Sequence, residues 1–76
     1  MRSLQKTYQV DRRHIAFVKF ILEAYDGIAV MTTVDPRAGI ISLAVPPDFE
    51  SDTDRLMSEL STTTGVKPVA VPTIDL

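Results

Sequence analysis

The chain has no cysteine and a single histidine among its 76 residues. No disulfide can staple it, and no thiolate metal site exists. A lone histidine cannot build the common zinc sites either. Long apolar runs are also missing: the greasiest stretch, Ile15 to Leu22, is short and carries Lys19. A membrane span needs about 20 apolar residues, so no membrane partner is expected. Charge of one sign is not in large excess, the net charge being −2. That balance leaves no electrostatic footprint for nucleic acid and no basic segment for anionic lipid. Met1 to Lys6 shows no apolar stretch after its positive charges. It does not read as an export signal, and the cytoplasm is the expected compartment.

What is present reads as one folded domain. Hydrophobic residues make up 45% and charged residues 24%, within the ordinary globular range. A domain this small buries only about 60% of the surface its unfolded chain exposes. A monomer would therefore be marginally stable.

Leu4 to Val10 alternates apolar and polar with period two, which predicts a half-buried strand. Asp11 is a fitting helix cap for the run that follows, Arg12 to Asp26. Its polar members Arg12, Lys19, Glu23 and Asp26 fall on one narrow helical stripe, and Gly27 supplies a stop. Ile28 to Val34 and Ile40 to Val45 are β-branched and apolar, joined by Asp35-Pro36-Arg37-Ala38-Gly39. This turn chemistry predicts a β-hairpin. Pro46-Pro47 ends the second hairpin strand, since proline cannot donate to a ladder. Ser51 or Asp52 then caps a helix over 52–61 with an acidic first turn and a stripe of Leu56, Met57 and Leu60. Lys67 to Val71, bracketed by Pro68 and Pro72, reads as an edge strand.

The order is βαββαβ. It predicts an α+β, ferredoxin-like two-layer sandwich, with two helices on one face of a four-stranded antiparallel sheet.

In this order and in two short stretches the chain resembles the ACT-type domains, and short stand-alone bacterial proteins of unknown function built on the same plan. Asp11 and Arg12 match the family's Asp-Arg-Pro-Gly-Leu-like turn, with Arg13, His14 and Ile15 at the Pro, Gly and Leu positions. Gly27, Ile28 and Val30 match its Gly-Ile-Asn-Ile-like strand start, with Ala29 in place of Asn. The resemblance implies a regulatory, ligand-binding fold. The turn Gly and the Asn that reach an amino-acid ligand in that family are replaced here.

Arg12, Arg13 and His14 stand where a helix start and two guanidiniums would favour a carboxylate or phosphate. Cations at a helix N-terminus cost a few tenths to about 1 kcal/mol each, so their presence needs a reason. His14 is the one group naturally poised for proton transfer near neutral pH, and no nucleophile-elbow motif accompanies it. Asp48, Glu50, Asp52, Asp54 and Glu59 mimic the spacing of a calcium loop. Thr53 occupies the position that needs glycine, and Arg55 adds the wrong charge, so helix-dipole compensation explains these acids better.

Two surfaces look built for a partner. The first helix is apolar nearly all round, which leaves Phe17, Phe20 and Tyr25 to face a second chain. With Val30 and Val34 turned toward the helices, the outer sheet face would hold Gln5, Thr7, Gln9, Ala29, Met31, Thr33, Ser42 and Ala44, all uncharged. Such a face suits pairing in a homodimer and lacks the aromatics that RNA-binding domains of this topology stack on bases. The sequence thus points to a small non-enzymatic module with no cofactor and no metal, a homodimer that binds a small anionic ligand or regulates a partner. The alternative reading is a homodimeric assembly module with no small-molecule ligand.

Overall fold

The computed structural model describes residues 3–25 and 28–69. The first strand, β1, is Leu4–Gln9; a 3-10 turn, Arg12–His14, leads into helix α1, Ile15–Ala24. Strands β2, Val30–Asp35, and β3, Ile40–Val45, form the hairpin. A second 3-10 turn, Pro47–Phe49, opens helix α2, Glu50–Thr64, and the short strand β4 is Lys67–Pro68. The four strands make one sheet in the order β2-β3-β1-β4, antiparallel at every junction. This is the ferredoxin-like βαββαβ arrangement. No helix among the described residues is long and apolar enough to cross a membrane.

One face of the sheet forms the core. Tyr8, Ile41, Leu43 and Val45 are buried together with Val18 and Leu22 of α1 and Leu56, Met57 and Leu60 of α2. Each such side chain contributes about 1.5–3 kcal/mol on leaving water. Helix α1 buries only Val18 and Leu22 fully, so a run apolar nearly all round meets the sheet along a narrow stripe. Helix α2 buries Thr53, Leu56, Met57, Leu60 and Thr64, a regular spacing of three and four residues.

Several boundaries differ from the sequence expectation. The first helix begins as a 3-10 turn, and its regular part stops at Ala24; Asp26 and Gly27 lie outside the described residues. The second helix starts two residues earlier and runs three further than 52–61. Pro47 at its entry fits the first turn, where an N–H has no partner to lose. No side chain caps α2, so Ser51 and Asp52 sit inside the helix rather than before it. Gly65 closes it with φ 74°, the left-handed cap that glycine takes without strain. Of the predicted strand 67–71, Lys67 and Pro68 pair with β1; residues 70 and 71 lie outside the described residues.

The phase of β2 is the main correction. Met31 opposes Leu43 and Thr33 opposes Ile41, and both partners are fully buried. Met31 and Thr33 therefore belong to the helix side, and Ala29 is buried. Val30 and Thr32, opposite Ala44 and Ser42, take the outer face instead. Apolar residues occur at both parities of this strand, so period two alone could not choose between them.

Candidate functional site

The antiparallel order brings the end of β1, the entry to α1, the hairpin turn and the end of α2 to one end of the sheet. The hairpin turn is shaped by Asp35, whose carboxylate accepts from the backbone N–H of Arg37 at 3.0 Å and of Ala38 at 3.2 Å. Gly39 carries φ 73°, and its carbonyl accepts from the Val10 N–H at 2.8 Å. Gln9 Nε2 donates to the Ala38 carbonyl at 3.1 Å. These bonds fix the turn beside the residues that start α1.

Asp11 caps that start. Its Oδ1 accepts from the Arg13 N–H at 2.9 Å and from Arg13 Nε at 3.2 Å. The backbone N–H of Arg13, then its guanidinium, hold the Asp11 carboxyl below the usual carboxylate range. The expected bare N–H groups at this helix start are thus partly satisfied by the chain's own carboxylate. Any anion site here rests on side-chain cations.

Two open clefts adjoin at this end, and Arg12 and Arg37 line both. One, of about 450 Å³, is shared with Gln9, Asp11, Gly65 and Lys67. The other, of about 690 Å³, is shared with Arg13, Ile15, Lys19 and Pro36 among others. Both volumes are within the range of small-ligand sites, about 300–1,000 Å³. Five cations meet here, against one carboxylate that Arg13 already engages. Arg12, Lys19, Arg37 and Lys67 make no ion pair with a described residue. Asp35 is engaged with backbone donors of its own turn, as above.

The structure thus brings Arg12 and Arg13 together, while His14 lines neither cleft. Arg37, Lys19 and Lys67 were not legible as site residues from their immediate neighbours. The signal was available in the topology: in a βαββαβ sheet the hairpin turn and the first helix entry share one end. The acids that mimic a calcium loop are placed differently. Glu50, Asp52, Asp54 and Glu59 sit on α2, not in a loop, and Glu50 and Asp54 hold Lys6 Nζ at 3.0 and 3.3 Å. Phe17 and Phe20 on α1 and Tyr25 at its end are exposed by 42%, 66% and 51%, and Val30, on the outer sheet face, by 67%.

Fold and site together define a small α+β sandwich with a cationic cleft at one end of its sheet. Residues 8–64 match the family described as Domain of unknown function (DUF4911), and the chain belongs to that family. Comparison with curated proteins and with solved structures gives no significant match to either.

Proposed function

We propose that this protein is a non-enzymatic, ACT-like regulatory module that binds a small anion, an amino acid or a carboxylate among them, at the cleft around Arg12 and Arg37. The observation that carries this reading is the sharing of two adjoining clefts by those two guanidiniums, neither paired with a described carboxylate. Two such groups grip a carboxylate or phosphate through charge-assisted, bidentate hydrogen bonds. The lining cations are guanidinium and ammonium groups, and Asp11 is held ionised. Such groups suit holding an anion and are poorly suited to shuttling a proton. Calorimetric titration with amino acids, dicarboxylates and inorganic phosphate tests the proposal. Binding heat that vanishes in the Arg12→Ala/Arg37→Ala protein supports it; equal heats from both proteins remove these residues from the account.

A second reading, homodimeric assembly, is favoured by the exposed Phe17, Phe20 and Tyr25 of the first helix and its end. Strand β2 is a sheet edge with no charged residue between Val30 and Val34, and such edges are normally guarded or covered. Sedimentation at micromolar concentration distinguishes a dimer from a monomer, and a clean monomer would end this reading.

A further inference from the structure

The two clefts that share Arg12 and Arg37 have different walls. On one side of that pair stand Gln9, Asp11 and Lys67, all polar or charged. On the other stand Ile15, Ala16 and Pro36, with Lys19 beside them. An inorganic anion bound to the shared guanidiniums would leave the second cleft, about 690 Å³, unfilled. That space is large enough for the body of a small organic ligand.

Charge narrows the choice further. Arg12, Arg13, Lys19, Arg37 and Lys67 line the two clefts, and Asp11 is the one carboxylate among the described lining residues. Asp35 lies close by in the turn, accepting from the Arg37 and Ala38 N–H groups. Five cations less these two carboxylates leave an excess of three positive charges. A monocarboxylate answers one of them. A phosphate monoester brings about 1.5 to 2 negative charges at neutral pH, with three strong acceptor oxygens. The guanidinium fork matches phosphate, and its flat face stacks on aromatic rings.

Resting on the anion-site reading above, we infer that the ligand is a phosphate monoester carrying a flat ring, of the aryl phosphate or nucleoside monophosphate kind. Arg12, Arg37 and Lys67 hold the phosphate, and the ring lies against Ile15, Ala16 and Pro36.

Calorimetric titration of the intact protein at one ionic strength tests this with four probes: phenyl phosphate, adenosine monophosphate, inorganic phosphate and benzoate. The better of the two ring-bearing phosphates is expected to bind at least about tenfold more tightly than inorganic phosphate, through the buried ring. It should exceed benzoate by a similar factor, through the added charge. Which of the two binds better identifies the source of the ring, and either order supports the inference. Ala16→Gln, at an exposed helical position that suits both residues, fills the apolar cleft. It should abolish the advantage of the ring and leave inorganic phosphate bound as before. Equal affinity for inorganic and ring-bearing phosphates, a ring advantage that survives Ala16→Gln, or benzoate bound as tightly as the phosphates overturns the inference and leaves the anion site standing. Absence of heat from all four probes overturns the anion site as well.

Discussion

Gly39 and Val10 are locked face to face: the Val10 N–H bonds the Gly39 carbonyl at 2.8 Å, and a Cβ on Gly39 would lie 1.8 Å from the Val10 carbonyl oxygen. No other residue fits there without moving the backbone. Gly39→Ala is expected to destabilise the fold by about 2 kcal/mol or more, from positive φ and the collision together. That corresponds to a melting temperature lower by about 8 °C or more in a domain of this size. Gly65 has φ 74° but nothing within 4 Å of the added carbon, so Gly65→Ala should cost only about 1 kcal/mol. Equal losses at the two glycines would contradict the collision.

Thr53 joins α2 to the segment entering β2. Its side chain is fully buried, and Oγ1 donates to the Ile28 carbonyl at 3.3 Å. Thr53→Val keeps the shape and strands that carbonyl, at a cost of about 1–3 kcal/mol. Denaturant unfolding of the two proteins measures it, and an unchanged midpoint would show that the bond contributes nothing.

Lys6 holds its proton more tightly than an isolated lysine. Glu50 is the main cause and Asp54 adds to it, against a smaller opposing effect of burial, so the ammonium titrates above its ordinary 10.5. Its raised value contributes stability that is fully present below pH 10.5 and fades as pH rises through the folded value. Asp11 is the mirror case, lowered from 3.8: its contribution is present above that value and fades as pH falls through the folded one. Side-chain NMR titration reads both groups. Glu50→Gln should return Lys6 toward 10.5; no movement would make the ion pair irrelevant to it.

At the cationic cleft, Arg37→Ala is expected to weaken anion binding by about tenfold or more, since a hydrogen bond to a charged group is worth about 1.5–3 kcal/mol. Stability should hold within about 0.5 kcal/mol, because Arg37 is exposed. Affinity should also fall as salt rises. Weaker binding accompanied by a matching loss of stability would assign the effect to the turn instead.

Phe20 tests the proposed dimer. It is 66% exposed, so Phe20→Asp should leave the protomer folded with stability changed by at most about 0.5 kcal/mol. Sedimentation should then show a monomer where the unaltered protein shows a dimer. A variant that still dimerises would move the contact elsewhere.

Element order was legible because each element carries its own local chemistry. The Asp-Pro-Arg-Ala-Gly turn, the Asp11 cap and the Gly65 stop act on backbone within a few residues. The phase of β2 was hidden because Val30 and Met31 are both apolar, and only pairing with β3 decides between them. The entry to α2 escapes local reading for a related reason: Pro47 begins the turn through its fixed φ, while Ser51 and Asp52 have the chemistry of caps without the position. Of the site, Arg12 and Arg13 could be found beside Asp11. Arg37 and Lys67 could not, because they reach Arg12 only through strand pairing.

The cleft is assembled from stretches as far apart in the chain as Arg12, Arg37 and Lys67, so it vanishes when the protein unfolds. Whatever occupies it must raise the melting temperature by mass action, by about 2.7 kcal/mol of added stability at a hundred times its dissociation constant. For a domain this size that is a shift of roughly ten degrees or more. A dye-based melting screen of cellular metabolites therefore tests the proposed anion binding without any assay of activity.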